Sequence, residues 1–183
     1  MSWSSTGIQW VNNEYLQYGD LHIDANNRLW AGGINGSYSN SSKGGFLYYT
    51  DDGSIWLKSN FDTSVIGSVS NLDRVLIEMA PSDPNIGYAL ISASANIVSF
   101  QRTSDAGSTW TELIANATID NSVNFGCTQA WYDLSLAVSP DDPNIVYNGC
   151  LEVYRTTDGG ATFNVINQWL SLIHISEPTR PID

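Results

Sequence analysis

The chain has 183 residues, enough for one domain of ordinary size, and 42% of them are hydrophobic, enough to build a core. Charged residues make up only 14%, whereas 7 Trp and 9 Tyr accompany many small polar residues, a composition typical of an all-β protein rich in turns. Nineteen acidic against seven basic residues give a net charge of -12, which repels phosphate and argues against nucleic-acid binding.

The first predicted unit spans about residues 18–60. Residues 21–29 read as strand, turn and strand, with the turn at Ala-Asn-Asn-Arg of 25–28. Residues 36–45 are rich in Gly, Ser and Asn and predict an exposed loop, of the kind that often lines a binding face. The unit closes with a turn at residues 49–56.

Two further units are predicted at about residues 73–116 and 131–169, and their first halves resemble each other. Residues 75–88 (VLIEMAPSDPNIGY) and 134–147 (LSLAVSPDDPNIVY) each read as strand, Pro-rich turn and strand, because Pro stops a ladder and the apolar positions alternate. The acidic pair Asp141-Asp142 in the second turn is expected to be solvated.

A turn motif, (Ser/Thr)-x-Asp-x-Gly-x-Thr-(Trp/Phe), recurs once in each unit. Its full copies are TSDAGSTW and TTDGGATF, and a worn copy, YTDDGSIW, lacks both hydroxyl positions. The aspartates at 51, 105 and 158 are separated by 54 and 53 residues, which is near the period of a four-stranded propeller blade. The motif positions are Asp51, Gly53, Trp56, Thr103, Asp105, Gly107, Thr109, Trp110, Thr156, Asp158, Gly160, Thr162 and Phe163.

The chemistry of this motif is that of a hairpin turn. An aspartate accepts hydrogen bonds from backbone amides of its own turn, Gly adopts a positive φ, and the following aromatic residue returns to the sheet and packs. We therefore predict a structural role for Asp51, Asp105 and Asp158. The alternative is that these aspartates act as general acids or calcium ligands.

The motif resembles the Asp-box, or BNR repeat, of sialidases, xyloglucan-degrading propellers and sortilin-type receptors. The resemblance implies a partial β-propeller of about three four-stranded antiparallel blades within residues 1–169. It also implies that the boxes lie on the outer rim, away from the ligand face. Because three blades do not close a ring, residues 1–169 are predicted to need the remaining blades of a longer chain and to aggregate or oligomerise alone.

The end of the chain is predicted to be foreign to the protein. Residues 170–180 (LSLIHISEPTR) are identical to one translated frame of a common transposase sequencing adapter. Residues 170–183 are therefore predicted to lie outside the folded domain, and His174 among them is not a candidate catalytic residue.

Neither a membrane span nor a cofactor site is predicted. No run approaches the roughly 18 apolar residues that a span needs, and no export signal follows Met1. The two cysteines, Cys127 and Cys150, match no metal-ligand spacing. They are either two small buried residues or a disulfide, which would fit an oxidising compartment.

The candidate ligand-facing patch is Trp131-Tyr132-Asp133, just before the predicted inner strand of the third unit. Aromatic rings beside a carboxylate suit sugar recognition; the alternative is that both rings pack beneath the neighbouring blade. Asp20 and Arg74 are assigned comparable positions before the other inner strands, with Arg74 aligned to Asp133.

No catalytic residue is assigned. His22 on the first inner strand is expected to be a packed histidine rather than a ligand. Sialidase chemistry needs an arginine triad with a Tyr-Glu nucleophile pair, and the chain does not display that set. Glycoside hydrolysis needs two carboxylates about 5 to 9.5 Å apart, a distance that sequence does not give.

The leading functional hypothesis is a non-catalytic recognition or architectural module of an exported protein, which binds polysaccharide, glycan or a surface protein outside the cell. A second hypothesis is part of a sialidase- or xyloglucanase-like glycoside hydrolase whose catalytic carboxylates lie largely elsewhere. A third is a sortilin-like peptide receptor.

Overall fold

The computed structural model of the chain describes residues 16–35, 44–61, 72–93, 95–115 and 129–167. Its strands form three antiparallel sheets of four strands each, and in every sheet the strands are neighbours in chain order. The prediction of an all-β chain with about three four-stranded antiparallel sheets is confirmed. Residues 170–183 and Cys127 lie outside the described residues.

The bounds of the elements are as follows. Sheet one contains β1 (Leu16–Ile23), β2 (Leu29–Asn35), β3 (Gly44–Thr50) and β4 (Leu57–Lys58). Sheet two contains β5 (Leu72–Met79), β6 (Gly87–Ala93), β7 (Asn96–Thr103) and β8 (Thr111–Ala115). A short helix, α1 (Ala130–Asp133), precedes sheet three, which contains β9 (Ser135–Val138), β10 (Val146–Gly149), β11 (Val153–Thr156) and β12 (Asn164–Asn167).

Sheet two lies between the other two sheets and is buried on both faces. Along β5, Val75 and Ile77 belong to the core shared with sheet one, whereas Leu76 belongs to the core shared with sheet three. Every residue of β6 is buried. Because successive side chains of a strand point to opposite faces, a strand covered on both sides needs apolar residues at nearly every position, as β6 has.

Sheets one and two approach closely at a glycine. A Cβ atom added to Gly32 of β2 would lie 2.5 Å from the carbonyl oxygen of Val75 in β5. No side chain fits in that space, so glycine at this position lets the two backbones meet.

Strands β1 and β5, the first strands of sheets one and two, are also joined by hydrogen bonds between side chains of β1 and the backbone of β5. Asp20 of β1 accepts a 2.8 Å hydrogen bond from the backbone N–H of Ile77, and His22 Nε2 accepts one of 3.2 Å from that of Met79. These N–H groups belong to β5, the edge strand of sheet two. Side chains of sheet one therefore satisfy donors that the edge of the neighbouring sheet leaves unpaired.

Candidate functional site

Two adjacent aromatic rings stand exposed at the start of sheet three. Trp131 and Tyr132, both on α1, are 59% and 71% exposed, and their ring centroids are 5.5 Å apart at an interplanar angle of 53°. Neither ring is packed beneath sheet two in the described part of the chain. We call this pair the aromatic platform.

The backbone beneath the aromatic platform is held from sheet two. The N–H of Ala130, which is fully buried, donates a 2.9 Å hydrogen bond to the carbonyl of Ala95. Arg74 of β5 donates from Nη1 to the carbonyl oxygen of Leu134 at 3.0 Å and approaches that of Tyr132 at 3.5 Å. A guanidinium that binds carbonyls on both sides of Asp133 fixes the direction in which α1 leads into β9.

Asp133 completes the predicted patch on the side that faces sheet three. Its Oδ1 lies 2.9 Å from Cys150 Sγ, just after β10. Cys150 is disulfide-bonded. The disulfide alternative therefore describes Cys150, and a cross-link at this position restrains the chain beside the aromatic platform.

Asp20 and Arg74 do not precede their strands as the sequence analysis predicted. Asp20 lies within β1 and Arg74 within β5, because both strands begin earlier than their apolar pattern indicates. Arg74 joins the patch by its contacts to the backbone around Asp133, whereas Asp20 accepts its hydrogen bond from Ile77 at the boundary of sheets one and two. The pKa of Asp20 is raised, chiefly because the carboxyl group is buried. The hydrogen bond from the Ile77 N–H opposes this shift, and the nearby Glu78 adds to it.

His22 takes part in the same boundary. Its Nε2 accepts the hydrogen bond from Met79, and its Nδ1 lies 3.1 Å from a carboxylate oxygen of Glu78. With Nε2 as acceptor, the proton of a neutral imidazole is on Nδ1, facing Glu78. Both ring nitrogens are thus engaged in joining β1 to β5.

The turns between β7 and β8 and between β11 and β12 share one hydrogen-bond pattern. In the first, Asp105 Oδ1 accepts from the backbone N–H of Thr109 at 2.8 Å and from the hydroxyl of Thr103 at 2.8 Å, while Oδ2 accepts from the Thr109 hydroxyl at 2.6 Å. The Thr103 hydroxyl oxygen in turn accepts from the N–H of Gly107 at 3.0 Å. These contacts use both carboxylate oxygens within the turn itself.

The turn of sheet three repeats those contacts almost to the distance. Asp158 accepts from the Thr162 N–H at 2.9 Å, from the Thr156 hydroxyl at 2.7 Å and from the Thr162 hydroxyl at 2.6 Å. The Thr162 hydroxyl, followed by its N–H, holds the pKa of Asp158 well below its usual range, and the Thr109 hydroxyl and N–H lower the pKa of Asp105. A carboxyl group that is held as an anion does not donate a proton to a leaving group near neutral pH.

In the first copy of the motif, the assignment of Asp51 is wrong by one residue. Asp52 Oδ1 accepts from the N–H of Ser54 and Ile55 at 2.8 and 2.9 Å and from the Thr50 hydroxyl at 3.1 Å. Thr50 also accepts from the N–H of Gly53 at 3.0 Å, so this copy keeps its first hydroxyl position. The turn is one residue shorter than the other two, and that deletion misaligned the sequence.

Asp51 has a different partner. Its carboxylate makes a two-pronged ion pair with Arg28, from Nε to Oδ1 at 2.6 Å and from Nη2 to Oδ2 at 3.2 Å, and this pairing lowers the pKa of Asp51. The signal for the correct residue was a Thr two positions before Asp52, the spacing of Thr103 and Asp105. With Asp52, the three turn aspartates are separated by 53 residues each.

The aromatic residues that follow the turns lie at the sheet boundaries. Trp110 meets Phe61 edge to face, with ring centroids 5.8 Å apart, and Phe163 meets Phe100 in the same way at 5.3 Å. Trp56, at the corresponding position of sheet one, has a buried indole Nε1 without a hydrogen-bond partner in the part of the chain that the structure describes.

Two kinds of feature are absent from the described residues. These residues contain no group of three or more His, Cys, Asp or Glu side chains that could hold a metal ion. Nor do they include a helix long and apolar enough to cross a membrane.

Comparison with known proteins finds relatives only among solved structures. No family model matches the chain, and no curated protein matches it. The GH74 enzyme of Niastella koreensis superposes with a TM-score of 0.52 at 20% identity, covering 82% of this chain and 22% of the enzyme. The GH74 xyloglucanase of Xanthomonas campestris superposes with a TM-score of 0.55 at 13% identity, covering 92% of this chain and 25% of the enzyme.

The chain thus spans a quarter or less of the length of the enzymes it resembles. At these identities the likeness concerns the fold, and the four-stranded antiparallel sheets stacked face to face are the units from which propellers are built. This chain shares the fold of the part of those enzymes that it covers, and its three sheets are consecutive blades of a β-propeller.

Proposed function

We propose that this chain is a non-catalytic polysaccharide-binding module that holds a neutral glycan chain on the aromatic platform of Trp131 and Tyr132. The observation that carries the proposal is the exposure of both rings, 59% and 71%, on a backbone fixed by Arg74 and Ala95. Large exposed aromatic surfaces are kept where they bind something, because water disfavours them.

The chemistry of the platform suits a sugar ring. The C–H faces of a pyranose pack on the apolar faces of aromatic rings, and the sugar hydroxyls find polar partners at the edges. Tyr132 supplies a phenol, and Asp133 supplies a carboxylate next in the chain. The net charge of -12 repels an acidic polysaccharide and favours a neutral one.

The solved structures that resemble the chain suggest which neutral glycan to test first. Both are GH74 enzymes, and one is named as a xyloglucanase. Xyloglucan, a neutral branched β-glucan, is therefore the first ligand to test, with unbranched β-glucans beside it.

The experiment is titration calorimetry of the 183-residue chain with xyloglucan. We expect Trp131→Ala and Tyr132→Ala each to weaken binding about tenfold or more, since each removes one stacking surface. Trp131→Phe and Tyr132→Phe keep an aromatic face and should retain most of the affinity. Binding that survives the double alanine variant would refute this site, and binding of a protein in place of any glycan would refute this ligand class.

A hydrolytic role is the second candidate, and Asp20 is the observation that favours it. Asp20 is the described carboxyl group whose pKa is raised, chiefly by burial, as a general acid requires. Its hydrogen bond from Ile77 argues for a structural role instead. The two are separated by reducing-end release from xyloglucan: activity that disappears in Asp20→Asn while the fold is retained would favour the enzyme.

We further infer that the three motif turns are Asp-boxes, in blades at about residues 18–60, 73–116 and 131–169, and that the protein works outside the cell. The shared hydrogen bonds of Asp52, Asp105 and Asp158 support the first point. The disulfide at Cys150 supports the second, because disulfides persist in oxidising compartments.

A further inference from the structure

One contact recurs at both boundaries between sheets. A glycine in the turn of the later sheet lies against a cross-strand pair of the earlier sheet: Gly107 at the first boundary and, at the second, Gly159, which directly precedes the motif glycine Gly160. A Cβ atom on Gly107 would overlap the indole of Trp30, which is paired across β2 and β3 with Tyr49. A Cβ atom on Gly159 would lie 3.4 Å from the hydroxyl of Tyr88 and 3.6 Å from Nε of Arg102.

Sheet three contains a cross-strand pair like those that the earlier sheet contributes to this contact at each boundary. Tyr147 is paired across β10 and β11 with Arg155, as Tyr88 is paired with Arg102 across β6 and β7. The guanidinium lies 5.8 Å from the Tyr147 ring centroid, and its Nε is buried without a hydrogen-bond partner in the described part of the chain. In sheet two, Arg102 Nε donates to Tyr88 at 3.3 Å.

Sheet one contains a turn glycine like those that the later sheet contributes to this contact. Gly53 has a φ of +72° like the other turn glycines, but nothing lies within 4 Å of the position where its Cβ atom would be. On β1, Leu21 and Ile23 are 66% and 65% exposed. Their counterparts at the end of β5, Ile77 and Met79, are 1% exposed because sheet one covers them.

We propose that copies of this chain associate head to tail, with sheet three of one copy packing on sheet one of the next. The head face is Leu21, Ile23 and the turn of Asp52 and Gly53. The tail face is Tyr147, Arg155 and Ile166, which is 52% exposed. Each new boundary repeats the contacts that the two boundaries inside the chain have in common.

Position and charge favour this pairing over pairing of like faces. Ile166 follows Phe163 by three residues, as Leu113 follows Trp110, and Leu113 lies against the turn glycine Gly160 of the next sheet. The tail also offers the cationic Arg155, and the head turn contains two carboxylates, Asp51 and Asp52. Two heads would bring these carboxylates together, which costs free energy.

Because the faces differ, the association is heterologous and can be tested with two variants. Ile23→Asp places a charge in the head face, and Ile166→Asp places one in the tail face; both side chains are exposed, so neither change enters the core of its own copy. Ser82→Asp, in the exposed turn after β5, is the control with the same charge change. The mass of the 183-residue chain is measured by sedimentation velocity over a range of concentrations.

We expect the unaltered chain and Ser82→Asp to associate as concentration rises. Ile23→Asp and Ile166→Asp, each measured alone, should associate about tenfold more weakly, or more weakly still. An equal mixture of Ile23→Asp and Ile166→Asp should form a one-to-one dimer, because an intact tail meets an intact head. That dimer also shows that both variants fold.

Three results would overturn the proposal. The first is an unaltered chain that stays monomeric at every concentration, which would reserve both faces for further sheets of a longer chain. The second is undiminished self-association of Ile166→Asp, the mark of heads pairing with heads. The third is a mixture that associates no better than its components. If Ile23→Asp loses its far-ultraviolet circular dichroism spectrum, Leu21→Asp replaces it as the variant of the head face.

Discussion

Trp110 and Ser59 face each other across the boundary between sheets one and two, where the indole Nε1 donates a 3.0 Å hydrogen bond to the serine Oγ. The hydroxyl of Ser59, which is buried, donates in turn to the carbonyl of Gly107 at 2.6 Å. At the next boundary the corresponding residues are Phe163 and Leu113, which have no polar group. At these corresponding positions, one boundary is thus closed by a chain of polar contacts and the other by apolar side chains.

Ser59→Ala should lower the free energy of unfolding by about 1–3 kcal/mol, because it leaves the Trp110 N–H and the Gly107 carbonyl without partners. Trp110→Phe alone should cost less. The double variant Ser59→Leu, Trp110→Phe copies the next boundary and should be more stable than the sum of the single changes predicts. Urea denaturation measures all three, and strictly additive effects would show that the two side chains do not interact.

Gly107→Ala and Gly53→Ala form a matched pair. Both glycines have a positive φ, +79° and +72°, which costs roughly 1–2 kcal/mol for alanine. Only at Gly107 does the new methyl group also meet the Trp30 indole, which should add about 1–3 kcal/mol. Urea denaturation should therefore find Gly107→Ala the less stable variant; equal losses would mean that the indole moves away freely.

Asp52→Ala should lower the melting temperature more than Asp51→Ala does, because Asp52 accepts two backbone N–H groups and Asp51 only pairs with Arg28. Asp52→Asn keeps an acceptor oxygen and should fall between the alanine variant and the unaltered chain. Thermal unfolding followed by circular dichroism provides the comparison. The reverse order of the two alanine variants would restore the alignment predicted from sequence.

The turn aspartates should make stability depend on pH in the acid range. Hydrogen bonds from Thr109 and Thr162 lower the pKa of Asp105 and Asp158 in the folded chain, so the unfolded chain binds protons first as pH falls. Their contribution is fully present above the unfolded pKa of about 4 and is lost as pH falls through the folded value. In Asp158→Asn the melting temperature should fall less steeply below about pH 4; an unchanged slope would contradict the assignment.

Asp20 should act in the opposite direction. Burial raises its pKa, so the folded chain favours the protonated form, and stability is lost as pH rises through the folded value. Asp20→Asn removes that dependence and can still accept the hydrogen bond from Ile77. Thermal unfolding above about pH 4 should therefore show a flatter profile for Asp20→Asn; a profile that matches the unaltered chain would mean that Asp20 is ionised at no cost.

The repeated pattern of strand, turn and strand was sufficient to predict three four-stranded sheets, because alternation of apolar residues and turn-forming residues act over a few positions of the chain. At Asp105 and Asp158, where the spacing of the motif is regular, the carboxylates accept hydrogen bonds within their own turns. The alignment of the motif failed at Asp52, because the first turn is one residue shorter than the other two. Only the hydrogen bonds of that turn identified Asp52 as the acceptor.

Sequence by itself determined the four-stranded sheets and their turns, since both depend on local pattern. Tertiary structure decided which side chains meet: Asp20 and His22 join β5, Arg74 holds the backbone beside Asp133, and Trp131 is left exposed. The hydrogen bonds of Asp20, His22 and Arg74 join residues that are 57 to 60 positions apart in the chain. Such partners are set by how one sheet packs on the next, which no local pattern records.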